Sequence, residues 1–235
     1  MNDTVEHLKK IAVIVAGGKG ERMQGHVPKQ FIPLLGKPVL YHTIRSFFDA
    51  YSDMQVILVL PEAHMQEGKR IVETYFQAYP IALVEGGATR FHSVKNGLNR
   101  IKENAVVFVH DGVRCLTGTE LIRRCYDQTL EKGSAIPAID CRDSVRTITP
   151  EGSRYLDRST LKLVQTPQTF LSTLLLPAYE QEYRSTFTDE ATVVEAAGHA
   201  VHLTEGSVDN IKLTLPLDLI VAEELLKKKS NRLNT

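Results

Sequence analysis

Along the first 140 residues, short uninterrupted apolar runs alternate with longer stretches whose apolar positions recur at helical spacing. IAVIVA (11–16) has no polar position, the pattern of a strand buried on both faces. Pro38 is placed to open a helix in which Val39, Leu40, Ile44, Phe47 and Phe48 recur at helical spacing. VILVL (56–60) reads as a second buried strand, a helical pattern follows over about 63–79, and IALVE (81–85) reads as a third strand. A helix over about 93–102 leads to a fourth strand, AVVFVH (105–110). Thr117 or Thr119 is placed to cap a helix running to Lys132, and SAIPAID (134–140) is the fifth strand candidate. Alternation of this kind predicts an α/β fold, an open and mostly parallel sheet flanked by helices.

After residue 140 the pattern changes. DSVRTITPEGSRYLDR carries β-type segments on either side of Pro150-Glu151-Gly152, a turn signal, and reads as a β-hairpin arm over 141–160 inserted in the main body. Helical patterns return near 171–184 and 188–197, and AVHLTEG gives a late strand. Pro216 opens a last helix over 217–228, whose Lys-rich end suits the negative end of the helix dipole. The tail SNRLNT is expected to fray. There is no internal repeat and no long linker, so residues 1–235 read as one domain.

Composition narrows the function classes. The 43% hydrophobic and 24% charged residues are those of an ordinary globular chain, and Lys plus Arg balance Asp plus Glu at 28 each. Zero net charge argues against a broad nucleic-acid or membrane-binding surface, while leaving small anionic ligands open. The polar start MNDTVEHLKK lacks the apolar core of a signal peptide, and no apolar run approaches the ~20 residues of a membrane span. Cys115, Cys125 and Cys141 are odd in number and lack metal-type spacing, which fits free thiols in a reducing cytoplasm.

The candidate chemistry begins with VIVAGGKGERMQGHVPKQF, where a buried strand runs into glycines, then Arg22, then Pro28-Lys29-Gln30. A Walker loop would need Gly-Lys-Ser/Thr, which is absent. A dinucleotide fingerprint would need a third glycine where Met23 stands and an acidic end to the next strand. A loop of the sugar-nucleotide transferase type fits better, its glycines admitting a nucleotide and a basic residue on each side holding the triphosphate. A tight turn with solvated charges is the plain alternative.

AGGKGERM and PKQF resemble the cytidylyltransferases that act on polyol phosphates, and the family most similar is that of 2-C-methyl-D-erythritol 4-phosphate cytidylyltransferase. EGGATRFHSVKNGL, VHDGVR, CRDSVR with LDRSTLKLVQTPQTF, TDEAT and GSVDNIKLT resemble further family segments in the same order, so that six segments agree between residues 13 and 214. There are two departures: Cys115 stands where the family usually has proline, and Ala88 where many members have an acidic residue.

The resemblance implies a Rossmann-like body, Mg²⁺ carried mainly on the phosphates of CTP with no metal ligand set of its own, and a homodimer joined through the arm. It implies attack by a phosphate oxygen of the acceptor on the α-phosphate of CTP. That oxygen is already anionic and needs no general base; the obstacle is electrostatic, and preorganised cations lower it. By resemblance Arg22, Lys29 and Lys212 carry that catalytic role. Ala16, Gly17, Gly18, Gly20, Gly86, Gly87, Ser93, Asp111 and Gly112 bind CTP. Asp111, Arg114, Ser144, Arg158, Thr166 and Lys212 bind the acceptor, with Arg158 reaching the partner's site. Plainer roles stand beside these: a surface lysine for Lys212, a cap for Asp111, a helix start for Ser93, a solvated arm face for Arg158. His92 and His110 read as structural. Ribitol-5-phosphate is the competing acceptor, a catalytically silent nucleotide-binding module the competing class, and a glucose-1-phosphate-type transferase a weaker third.

Overall fold

The computed structural model describes residues 8–17 and 27–233. β1 (Lys9–Val15) lies between β4 (Met54–Leu60) and β6 (Ala105–Asp111), parallel to both, and β5 (Ile81–Glu85) extends the parallel set beyond β4. Two short strands, β2 (Pro33–Leu34) and β3 (Lys37–Pro38), form a separate ribbon. Beyond β6 comes β11 (Gln168–Leu171), antiparallel to it, and then β7 (Ser134–Asp140). β10 (Lys162–Val164) and β12 (Leu203–Glu205) also pair with β7, antiparallel and parallel respectively. The sheet thus runs β10-β7-β11-β6-β1-β4-β5, a mostly parallel Rossmann-like sheet with antiparallel insertions.

The uninterrupted apolar runs follow from burial on both faces. Ile11, Val13 and Val15 face one core, beneath α3 (Arg90–Leu98), α5 (Ser172–Ala178) and α6 (Glu190–Ala196). Ala12 and Ile14 face the other, beneath α1 (Val39–Ala50), α2 (Met65–Tyr75) and α4 (Thr119–Lys132). α3 presses close to the sheet because Gly97 has no side chain: a Cβ there would lie 2.7 Å from Val13 Cγ1. α7 (Pro216–Leu233) closes a third cluster through Ala222 against Leu34, Val39, Cys115, Leu116 and Leu213. Among the described residues, no helix is long and apolar enough to cross a membrane.

Several boundaries differ from the periodicity. α2 stops at Tyr75 rather than 79, where Phe76 turns into the core. α3 starts at Arg90, earlier than 93, with the Thr89 hydroxyl accepting from the His92 N–H. Neither Thr117 nor Thr119 caps α4; Gly118 holds the cap position, and the Thr117 hydroxyl donates to Asn210 Oδ1 at 2.8 Å. Only Ser172–Ala178 of the stretch near 171–184 is helical, and α6 starts two residues later than 188, at a capping box built on Asp189 and Thr192. α7 continues to Leu233, through the first residues of the tail expected to fray.

The arm is present as β8 (Val145–Thr149) and β9 (Gly152–Leu156). Among the described residues these strands pair only with each other, and Ile148 and Tyr155 are 80% and 66% exposed.

Candidate active site

The C-terminal edge of the sheet, where ligands of open α/β sheets collect, is where the candidate residues meet. β1 and β6 end side by side there. The Gly112 N–H donates to Val15 O at 2.9 Å, and a Cβ on Gly112 would come within 2.8 Å of the Ala16 Cβ. The 3-10 turn Lys29–Phe31 is fastened to the same point by Gln30, buried, whose Nε2 donates to Ala16 O at 2.8 Å. Opposite, Ser93 Oγ donates to Thr89 O at 3.0 Å and accepts from the Gly87 N–H at 3.1 Å, tying the Gly86-Gly87 turn to α3. Between these walls is a cavity of about 320 Å³, lined by Ala16, Gly17, Lys29, Gln30, Gly87, Arg90, Ser93, Asp111 and Lys212 among others.

Asp111 is the electrostatic centre of this cavity. Its Oδ2 takes Lys212 Nζ at 2.9 Å and lies 3.7 Å from Arg114 Nε; its Oδ1 accepts from Arg90 Nε at 3.4 Å. Burial alone would raise its carboxyl, but Arg90, Lys212 and Arg114 together hold it well below the usual carboxylate range. Arg90 in turn clasps Glu190 with both terminal nitrogens, at 2.6 and 3.1 Å. Burial disfavours the charge on this guanidinium, yet the two carboxylates outweigh that and hold its proton more firmly than usual. Arg114 Nη1 donates to Asn210 O at 2.7 Å, while its buried Nε finds no hydrogen-bond acceptor. Lys29 Nζ donates to Leu213 O at 3.4 Å, so that Lys29 and Lys212 approach the cavity from one side. Asn210, fully buried, secures the Lys212 segment by donating from Nδ2 to Thr166 O at 2.8 Å.

The site can bind and polarise a polyanion. It presents several cations around one carboxylate.

The family model for 2-C-methyl-D-erythritol 4-phosphate cytidylyltransferase, IspD, matches residues 10–228. The chain belongs to this family. Its relatives include the Phocaeicola vulgatus enzyme of that name, 49% identical over 93% of this chain and 100% of the relative. The Bacteroides thetaiotaomicron enzyme of the same name is 46% identical over 93% and 100%. Among solved structures, 4-diphosphocytidyl-2C-methyl-D-erythritol synthase from Anaerococcus prevotii superposes with TM-score 0.80 at 26% identity, covering 94% of this chain and 99% of that one. The 2-C-methyl-D-erythritol 4-phosphate cytidylyltransferase from Thermus thermophilus superposes with TM-score 0.74 at 29% identity over 93% and 99%.

Of the residues that the family resemblance singles out, Ala16, Gly17, Lys29, Gly87, Ser93, Asp111 and Lys212 line the cavity, and Gly86, Gly112, Arg114 and Thr166 stand directly behind it. Ser93 lies in the first turn of α3 rather than at its start. Ser144 and Arg158 are not brought to the cavity within one chain; both are exposed, and Arg158 Nη1 donates to Arg142 O at 2.6 Å. Gly18, Gly20 and Arg22 lie outside the described residues. Arg90, Glu190 and Gln30 were not singled out from the sequence, although they fall in the quoted segments GGATR, TDEAT and PKQF. Periodicity and spacing carry no sign that positions 90 and 190 pair. Cys115 replaces the family's usual proline as a buried apolar group, its thiol pushed up to about 12 by burial.

His110 is structural, as its sequence position implied. Fully buried, it faces Thr166 Oγ1 at 3.0 Å through Nδ1, and Arg114 O at 3.2 Å and Thr117 Oγ1 at 3.3 Å through Nε2. The hydrogen bonds assign the proton to Nε2, which donates to Arg114 O, and Nδ1 accepts from the Thr166 hydroxyl. That hydroxyl accepts the Asp111 N–H at 3.1 Å. Burial pulls the imidazole from the ordinary 6.5 down to about 4, against a smaller opposing pull from Asp111. The folded pKa lies below the unfolded one, so the unfolded chain binds the extra proton between these values. The stabilisation is complete above pH 6.5 and is lost on acidification toward about 4, a change of roughly 3 kcal/mol. Urea midpoints measured between pH 7 and 4 should therefore fall for the native chain, and the fall should be markedly smaller for His110→Asn.

Proposed function

We propose that this chain transfers a cytidylyl group from CTP to 2-C-methyl-D-erythritol 4-phosphate, giving CDP-methylerythritol and pyrophosphate, in non-mevalonate isoprenoid precursor synthesis. The observation that carries this reading is the convergence of Lys29, Arg90, Arg114 and Lys212 around Asp111 at the sheet edge. The acceptor's phosphate oxygen attacks the α-phosphorus of CTP, the new P–O bond forms, the α–β bridging bond breaks, and pyrophosphate leaves with its electron pair. No proton need be removed from the nucleophile. The chain's work is to hold two anions against their repulsion and to stabilise the charge that gathers on the phosphoryl oxygens. Lys29 takes the α-phosphate side, Lys212 bridges the two reacting phosphates, and Arg114, behind the cavity with its Nε 3.7 Å from Asp111 Oδ2, adds positive charge on the acceptor side. Lys29 and Lys212 present together at one cavity count against a catalytically silent module.

Mg²⁺ fits this donor set. Among the described residues no group of three His, Cys, Asp or Glu side chains gathers to cage a metal, and Asp111 is the carboxylate in the cavity. One carboxylate plus substrate phosphates and water is an ordinary Mg²⁺ arrangement. When bound, the ion supplies further charge neutralisation on the triphosphate.

A second copy of the chain is part of the proposal. A two-stranded arm with exposed Ile148 and Tyr155 is unstable alone in water, and interlocking arms in a homodimer would cover it. In that arrangement Arg158 and Ser144 serve the partner's cavity. Three free thiols support a cytoplasmic setting.

The deciding experiment is pyrophosphate release from CTP with methylerythritol phosphate and ribitol phosphate offered in parallel. Both acceptors carry a phosphate for Lys212, so discrimination comes from the polyol. One missing hydrogen-bond partner costs roughly 1–3 kcal/mol, or about one to two decades. A margin of at least that size in kcat/KM is expected for methylerythritol phosphate, and equal or better turnover of ribitol phosphate would overturn the acceptor. Lys29→Ala and Lys212→Ala should each lower turnover by about 10²-fold or more; Lys29→Ala should keep its melting transition, while Lys212→Ala should melt lower because it takes a cation from buried Asp111. Mixing inactive Lys29→Ala with inactive Arg158→Ala chains under subunit exchange should restore partial activity, because one site of the heterodimer then holds neither defect. No recovery from proven heterodimers would place Arg158 outside the partner's site.

A further inference from the structure

Glu190 stands at the first position of α6 with none of its side chain exposed. Burying a carboxylate costs several kcal/mol unless its lone pairs are satisfied. Here they are: Arg90 Nη1 and Nη2 reach Oε1 and Oε2 at 2.6 and 3.1 Å, and the Tyr179 hydroxyl donates to Oε1 at 3.1 Å. α6 is itself locked to the sheet, since Gln168 accepts the Ala191 N–H and donates to Asp189 Oδ2, each at 2.8 Å.

The guanidinium is planar, so fixing its two terminal nitrogens on Glu190 fixes where Nε points. It points to Asp111 Oδ1, at 3.4 Å. The other carboxylate oxygen, Oδ2, is then left to Lys212 at 2.9 Å. A line of alternating charge runs from Glu190 through Arg90 and Asp111 to Lys212. It joins α6, α3, β6 and the segment before α7, which are far apart in sequence. The line continues into the cavity, with Arg90 on Oδ1 of its central carboxylate and Lys212, with Arg114 farther off at 3.7 Å, on Oδ2.

We propose that Glu190 is a positioning residue for the transfer: through the Arg90 fork it fixes the Asp111 carboxylate so that Oδ2 stays turned to Lys212. The inference rests on the function proposed above and adds to it a residue outside the cavity wall.

The test is a double-mutant cycle in turnover together with a structure of one variant. Glu190→Gln keeps the side-chain shape but removes one fork acceptor. It should fold and lower kcat by about tenfold to hundredfold, the size of effect a small misplacement produces. Tyr179→Phe removes a hydrogen bond from the same carboxylate without touching Arg90; it should lower the melting temperature and leave kcat near the native value. Glu190→Gln combined with Asp111→Asn should be no slower than Asp111→Asn alone, because both act on one group. Losses that multiply, or a Glu190→Gln variant that, like Tyr179→Phe, melts lower while its kcat stays near native, would overturn the proposal. If Glu190→Gln fails to fold, Arg90→Lys, which keeps the charge and loses the fork, replaces it in the cycle with the same criterion. A crystal structure of the folded variant should show the Asp111 carboxylate turned away from Lys212 Nζ, and an unchanged pair would overturn the proposal independently of turnover. A native chain silent with either acceptor would defeat the proposed function, and the variant structure would still decide the role of Glu190.

Discussion

A charged carboxylate at the buried end of a central strand is the constraint on which the site depends. Asp111 cannot stay ionised there on hydration, because burial opposes its charge. It stays ionised because cations from three separate places in the fold surround it: Arg90 from α3, Arg114 from the loop after β6, and Lys212 from the segment before α7. Each of these cations is exposed to water only in part, and the two arginines are oriented by further groups, Arg90 by Glu190 and Arg114 by the Asn210 carbonyl. Removing any one leaves the rest over-charged or misdirected.

The topology explains how the remote residues arrive. β11 enters antiparallel between β6 and β7, and the turn before it places Thr166 beside the Asp111 amide. The chain then crosses the sheet through α5 and returns as α6, bringing Glu190 to Arg90 across 100 positions of sequence. After β12 the chain comes back a last time, and Gln165 receives it: Gln165 accepts the Ser207 N–H at 3.0 Å and donates to Ser207 O at 2.7 Å. The antiparallel insertion is therefore the device that closes the C-terminal third of the chain onto the cavity.

What could be read in advance follows from the range of the signal. Runs such as IAVIVA and VILVL declare doubly buried strands, because two opposite cores both demand apolar residues. The arm was legible for the opposite reason, its alternation broken by a single turn signal. QTFL was not legible: a four-residue strand wedged between two others carries too little pattern, and its helix-like neighbours absorbed it. The cavity residues Lys29, Asp111 and Lys212 were found through resemblance of their segments, not through periodicity. The Arg90–Glu190 clasp escaped because a contact between distant positions leaves no periodic trace in one chain.

The pairing of Lys212 with Asp111 also bears on how ligands would leave. The cavity carries a counter-ion of its own, so an incoming phosphate must take Lys212 from an internal rival rather than find it bare. The same rival is waiting when pyrophosphate departs. In cytidylyl transfer as proposed, Asp111 can reclaim the lysine as the product loosens, an internal competitor that works against product inhibition and against trapping of stray inorganic phosphate.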